Sequence, residues 1–392
     1  MKNLELRKLI SETEKYPGTK QIPPASVCNK GFPGTFNLSF IESEWLKEFH
    51  SQYLEYDHDY IISKIQPCIR HQDWEIIKSD TTNRFRYLGV FDMADIGGVI
   101  NLVDNNQTEK AVSFSVQNLH KFLTQTIQLV PDRLRITYCI GGRIDHLTKG
   151  KYSIDKELPQ DVFIERWCDL GIKESQLIAD DSRDTLLALN IFGNPTPWGY
   201  RNEILYEHKG KMIDVATFEY LFYRPIFDEG DKIVDLKKWE HCFSVSAVGI
   251  ERLLMVINGS TQITDCDHIK PIKDLVLEKA IKQDEEKTIV LTEAARSIHR
   301  ILSDCGSYEK LSKHRKQKIR DYFNSLFSLV GELEIEKSKT FFKNIFLKIA
   351  ETQPYYPELM KSVDLVVREV LKADERFKYD RSRKGIGGVA QQ

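Results

Sequence analysis

The run Cys242–Ile257, C-F-S-V-S-A-V-G-I-E-R-L-L-M-V-I, decides how the rest of the chain is read. Phe243, Val245 and Ala247 recur with a period of two, whereas Ile250, Leu253, Leu254 and Ile257 fall at helical spacing. The stretch predicts a strand that turns at Gly249 into a helix. Glu251 and Arg252 stand in the first helical turn, where negative charge is stabilised. An arginine at such a junction, beside free backbone N–H groups, can hold a phosphate. The same tetrapeptide also reads as a buried helix start with a solvated Glu-Arg pair, because charged pairs usually decorate surfaces.

The 392 residues are 41% hydrophobic, enough for two or three cores, and the net charge is −2. Residues 291–392 carry 20 Lys+Arg against 14 Asp+Glu, while residues 1–290 carry 36 against 44, so a mildly basic end follows an acidic body. The seven cysteines form no C-x-x-C pair and no zinc-type spacing, which fits a reducing compartment and leads us to expect no zinc. The charged N-terminus has no signal-peptide core, and no apolar run approaches the roughly 20 residues that cross a bilayer. A soluble cytoplasmic protein with no membrane contact is expected.

Residues 1–36 are polar and rich in Pro and Gly, and read as an N-terminal arm. Helical spacing over 40–56 (Ile41, Trp45, Leu46, Phe49, Tyr53) is followed by a hairpin of strands 60–70 and 84–93 around the polar loop 71–83. A helix is predicted from Ser115 to Val130, a strand over 134–140 and a helix over 161–170. A Gly/Pro/Asn-rich turn at 189–202 leads into a strand over 203–207, and a further strand over 212–222 is broken by Pro225. From about Lys270 the pattern is helical: 292–305 with a Thr292 N-cap and Gly306 at its end, then 316–330, 341–350 and 356–377, before a basic, Gly-rich tail that is expected to fray. The fold class is therefore α+β, with an antiparallel sheet flanked by helices and an all-helical part after it.

Three arginine-bearing segments stand out: Q-P-C-I-R ending at Arg70, R-Y-L-G-V-F-D-M from Arg86 to Met93, and G-I-E-R ending at Arg252. In this order and spacing they resemble motif 2 and motif 3 of class II aminoacyl-tRNA synthetases, and in particular the alanyl-tRNA synthetase family. Leu129-Val-Pro-Asp-Arg-Leu-Arg-Ile-Thr, the run from Gly193 to Glu207, the 293–304 helix and the ending E-V-L-K-A-D-E-R-F are similar to further segments of that family. The resemblance covers roughly residues 40–380. It implies an arm (1–36), a class II synthetase-like catalytic domain (37–268), a helical domain like the acceptor-stem-binding region (269–380) and a flexible tail (381–392), with no editing domain.

The resemblance further implies an ATP-dependent ligase that joins an amino acid to the α-phosphate of ATP and passes the aminoacyl group to a tRNA. Arg70 would bridge the carboxylate and the α-phosphate, a fork that lysine cannot supply. Arg252 would hold the γ-phosphate or stack on adenine with Phe91 opposite. The expected ATP-binding set is Arg70, Arg86, Phe91, Met93, Gly249, Glu251 and Arg252, with Arg70 and Arg252 catalytic. Mg²⁺ would be held by Glu203 and Asp214. The expected substrate contacts are Asn194, Glu203, Glu219 and Val245, and the expected tRNA contacts are Lys313, Arg315, Lys316, Lys318 and Arg320.

The chain departs from the family at informative places. Val245 stands where the family has the aspartate that binds the substrate ammonium, and Phe218-Glu219 stands where it has Trp-Asn. Glu219 is therefore expected to take over the ammonium, or else to be a rim carboxylate paired with Arg224. Asp92 replaces the motif 2 glutamate, and Ser312–Arg320 replaces a family loop. Altered amino-acid specificity follows. Transfer to a small metabolite, nucleoside or carrier protein, and a non-catalytic RNA- or protein-binding paralogue, remain as alternatives.

Overall fold

The computed structural model describes residues 1–29, 34–38, 59–102, 105–182, 184–187, 190–191, 194–195, 197–230 and 232–387. A ten-stranded sheet lies at its centre. Its main strands are β1 (Tyr60–Ser63), β2 (Ile65–Cys68), β3 (Phe91–Leu102), β4 (Leu134–Cys139), β5 (Leu177–Asp180), β6 (Trp198–His208), β7 (Lys211–Phe227) and β8 (Ile233–Gly249). The spatial order is Lys20–Gln21, β1, β3, β8, β7, β6, β4, β5, with β2 also on β3 and Leu186–Leu187 on β6. Pairing is antiparallel except for Lys20–Gln21 beside β1 and β5 beside β4.

Eight helices matter below: α1 (Asn3–Glu12), α2 (Asn105–Lys121), α3 (Ile250–Ile257), α4 (Lys270–Lys279), α5 (Glu285–Cys305), α6 (Lys313–Glu332), α7 (Lys339–Glu351) and α8 (Pro357–Gly387). One hydrophobic core joins α1, α2 and α3 to the sheet through residues such as Leu6, Val116, Ile204, Val215 and Leu253. A second is built from α4 to α8 and also takes in Val27, Phe36, Ile69, Trp74 and Val90. The N-terminal segment is thus built into both cores. Arg7 of α1 is buried in an ion pair with Asp92 of β3, whose other oxygen accepts 2.7 Å from the hydroxyl of Tyr356, a residue of the second core beside α8.

The fold class matches the α+β expectation, and the strand-to-helix switch falls at Gly249. Several elements differ. The return strand begins at Phe91, because Arg84–Arg86 forms a 3₁₀ turn, and the supposed loop 71–83 contains the helix Trp74–Ser79, whose Trp74 and Ile77 are buried. The first hairpin strand is split at Lys64, where the Asp95 carboxylate takes the backbone N–H at 2.6 Å. α2 begins ten residues earlier than its apolar spacing suggests, at Asn105.

Pro225 does not break β7. Beyond Tyr223 that strand has lost its β6 neighbour, and proline is tolerated on such an edge. α5 starts at Glu285, capped by Asp284, whose side chain accepts from the Lys287 N–H, and Thr292 is buried within the helix. The tail expected to fray from residue 378 continues α8 to Gly387. The helix expected over 40–56 lies outside the described residues.

β6 and β7 turn tightly through Lys209 and Gly210, both at positive φ (50° and 75°), as a two-residue hairpin demands. At the other end of β6, Gly199 approaches its neighbour so closely that a Cβ there would lie 2.1 Å from the Tyr220 carbonyl oxygen. Gly249 is different: its φ is −88°, and an added Cβ would meet only Arg252 carbons at 3.9 Å. Urea unfolding is therefore expected to show Gly199→Ala losing about 3 kcal/mol or more, and Gly249→Ala within about 1 kcal/mol of the parent.

Candidate active site

The antiparallel register places residues of β6, β7 and β8 in rows across the sheet. Arg201 lies opposite Glu219, which lies opposite Val245, and Glu203 lies opposite Thr217, which lies opposite Ala247. Side chains in such rows share one face. That face is the floor of a cleft of about 150 Å³ that opens to solvent. One wall comes from the hairpin (Arg70, Asp73, Arg86, Tyr87, Phe91, Met93), the other from Asp214 and the β8–α3 junction (Gly249, Glu251, Arg252).

The cations are held by identifiable partners. Arg252 donates to the Asp214 carboxylate at 2.6 Å and to its carbonyl at 3.2 Å. Arg70 donates from Nε to the Leu38 carbonyl at 3.0 Å, with its guanidinium 5.0 Å from the centre of the Phe91 ring. Arg86 reaches the Met212 carbonyl at 3.4 Å, and its buried Nε has no partner. Arg201 donates to Glu219 from Nε (2.8 Å) and Nη2 (2.7 Å), and lies 3.3 Å from Glu203. The Thr217 hydroxyl at the centre of the floor is buried with no partner.

Burial and the neighbouring Asp214 push the Glu203 carboxyl up to about 8, and a hydrogen bond joins the two groups. Glu203 therefore holds its proton at neutral pH, because burial and a second carboxylate beside it both oppose a further negative charge. Burial also raises Asp73. Burial alone would raise Glu251 as well, but the hydrogen bond from His268 (3.2 Å) holds it low, and its other oxygen accepts from the Asp92 N–H at 3.0 Å.

Of the expected site residues, Arg70, Arg86, Phe91, Met93, Glu203, Asp214, Glu219, Gly249, Glu251 and Arg252 all line this cleft. Glu219 is paired with Arg201, not with Arg224. Val245 is buried in the row beside Glu219. Glu219, on the neighbouring strand, is the carboxylate directly opposite it. Phe91 lies under Arg70, whereas Arg252 lies nearer the Tyr87 ring, at 5.8 Å. Asn194 belongs to a two-residue strand paired with Asn190–Ile191.

The residues expected to contact tRNA are placed differently. Arg315 is buried and donates to the carbonyls of Thr35, Cys28 and Asn29, and Lys318 donates to that of Gly34, so both fasten the N-terminal arm to α6. Lys316 pairs with Glu309 and Arg320 donates to the Tyr308 hydroxyl; Lys313 is exposed. Sequence reasoning missed Asp73, Tyr87, Arg201 and Thr217. The i, i+2 spacing of Arg201 and Glu203 is the signal that finds Arg201, once the strand is extended back to Trp198.

No protein-family model matches the sequence, and no curated protein matches it. Among solved structures, a putative threonyl-tRNA synthetase from Aeropyrum pernix is similar at a TM-score of 0.35 and 9% identity, over 75% of this chain and 66% of that one, just under two thirds of its length. A likeness at that level fixes neither the fold family nor the function. No helix among the described residues is long and apolar enough to cross a membrane.

Because the folded chain keeps a proton on Glu203 up to about 8 while the unfolded chain loses it near 4.5, the folded state binds more protons between those values. Stability should therefore fall as pH rises from about 5 to about 8. Denaturant unfolding across that window should show Glu203→Gln with a flatter pH dependence than the parent.

Proposed function

We propose that this cleft binds ATP and an amino acid and joins them as an aminoacyl-adenylate, in the manner of a class II aminoacyl-tRNA synthetase of altered specificity. The observation that carries the reading is convergence. Arg70 and Arg86 of the hairpin and Arg252 from far along the chain face one cleft whose floor carries the carboxylates Glu203 and Glu219.

Both reactants are anionic where they must meet, so the reaction needs fixed positive charge in a partly desolvated site. Arg70, half-buried at the strand end, bridges the amino-acid carboxylate and the α-phosphate. Its stacking on Phe91 fixes the guanidinium plane. Arg252 exchanges Asp214 for the outer phosphates, and the free Nε of Arg86 is a further donor. The substrate ammonium sits over the Glu219–Glu203 side of the floor, where Thr217 offers an unused hydroxyl. A cation there displaces the proton that Glu203 holds beside Asp214.

Those two carboxylates also suit Mg²⁺, which takes one or two protein carboxylates together with substrate phosphates; among the described residues no set of three ligands is present. When bound, Mg²⁺ neutralises charge on the departing pyrophosphate, and Glu203 and Asp214 would hold it.

The acceptor is proposed to be a tRNA acceptor stem meeting the helical part. A small metabolite, nucleoside or carrier protein is the second reading. It is favoured by one observation: Arg315 and Lys318 are spent on the chain's own carbonyls. A cytoplasmic setting accords with the seven unpaired cysteines.

The test is ATP–pyrophosphate exchange with each amino acid, without and then with tRNA. One amino acid should support exchange, and Arg70→Ala should reduce it by about 100-fold or more. Exchange with no amino acid, or exchange that survives Arg70→Ala, contradicts the reading. Glu219→Gln should raise the KM for the amino acid and leave that for ATP unchanged; equal loss of both removes Glu219 from the substrate site.

A further inference from the structure

Cys28 and Cys305 come from opposite ends of the chain and meet. Cys305 is the last residue of α5 and is partly exposed. Cys28 is buried on the arm, with its sulfur 3.7 Å from the Ile301 carbonyl one turn earlier in α5. With Val27 held to Asp304 and the Cys28 sulfur to Ile301, Cys28 lies against the same helix end that carries Cys305. Neither belongs to the cleft or to any role proposed above.

The surroundings suit thiol chemistry. The neighbouring Cys28 thiol, a backbone N–H at Ser307 and the charges of Arg315 and Lys310 bring the Cys305 thiol down to about 7 against its partial burial. Cys305 beside it, then burial, raise Cys28. Cys305 is thus the accessible thiolate and Cys28 the protonated partner, the pattern of an attacking and a resolving thiol.

We propose that Cys28 and Cys305 are a reversible redox pair that closes to a disulfide and locks the N-terminal arm onto α5. With a peroxide as oxidant, the Cys305 thiolate attacks the terminal oxygen, the O–O bond breaks, and Cys305 sulfenic acid and hydroxide form. Loss of the thiolate removes the anion that raised Cys28. Cys28 then gives up its proton and attacks the sulfenic sulfur, forming the S–S bond and releasing water. In sum, two thiols and one peroxide give one disulfide and two waters.

The arm carries the effect to the cleft. Val27 is tied to Asp304 of α5, its N–H reaching the carboxylate at 2.6 Å, and its carbonyl accepts from the Asn37 N–H at 3.1 Å. The Asn37 carbonyl in turn accepts from the Ile69 N–H at 2.8 Å, and Leu38 holds the Arg70 Nε. A disulfide at Cys28 fixes one end of this chain of contacts, and Arg70 is at the other.

The test uses the full chain, oxidised with hydrogen peroxide near neutral pH, blocked with an alkylating agent and mapped as peptides without reductant. Cross-linked Cys28 and Cys305 peptides should appear before exposed Cys168 is modified, and dithiothreitol should restore both thiols. In Cys28→Ser, dimedone should trap sulfenic acid on Cys305. Sulfinic acid on Cys305 of the parent without a cross-link, or Cys168 oxidised while Cys28 and Cys305 still alkylate, overturns the pair. Amide exchange over residues 66–70 should slow in the disulfide form; unchanged exchange there overturns the link to Arg70. Neither readout depends on the ligase activity, so the two proposals fail separately.

Discussion

Arg201 faces Glu219, and Glu219 faces Val245, because three antiparallel strands are held in one register. Everything on the cleft floor depends on that register. A slip of one residue in β7 would turn Glu219 and Thr217 into the core and bring Phe218 and Tyr220 out. The opposite is enforced by burial: Phe218 and Tyr220 are fully enclosed in the first core, with edge-to-face ring contacts to Trp167 and Phe163. The hydrophobic side of the sheet thus fixes which charges the other side presents. The close backbone approach at Gly199 permits the bulge at which β6 meets the end of that register.

The cleft is a set of compensated charges. Arg252 neutralises Asp214, Arg201 neutralises Glu219, and Glu203 keeps a proton. Buried charges without partners are costly, so a polar site must store its ligand-binding groups as internal pairs until the ligand replaces one member. Here each pair is made of side chains that face the cavity. Glu251 is the exception, since both its oxygens are engaged behind the wall, by Asp92 and His268. It positions α3 against β3, and that support sets where Arg252 points.

What the sequence made legible were the features with a strict local period or a special residue. The alternation before Gly249 and the helical spacing after it placed Arg252 at the start of α3, and the hairpin arginine Arg70 fell at a strand end. Less legible were elements whose signal is tertiary. The first half of α2 is polar, and its helicity depends on packing over the sheet. The basic run of α6 gave no sign that Arg315 turns inward, because an amphipathic pattern does not say which cation meets a distant arm carbonyl. Arg201 was lost to a strand boundary set five residues late. That Val245 is apolar was visible, but not that the register sets the Glu219 carboxylate directly beside it.

In the proposed function Arg70 and Arg252, brought together only by the fold, act on one polyphosphate. A double-mutant cycle on equilibrium ATP binding, with Arg70→Ala, Arg252→Ala and the double variant, measures this directly. Each single change should weaken ATP binding, and the two effects should not be additive, with a coupling of about 0.5–3 kcal/mol. Strictly additive losses, or ATP binding untouched by either change, would contradict it.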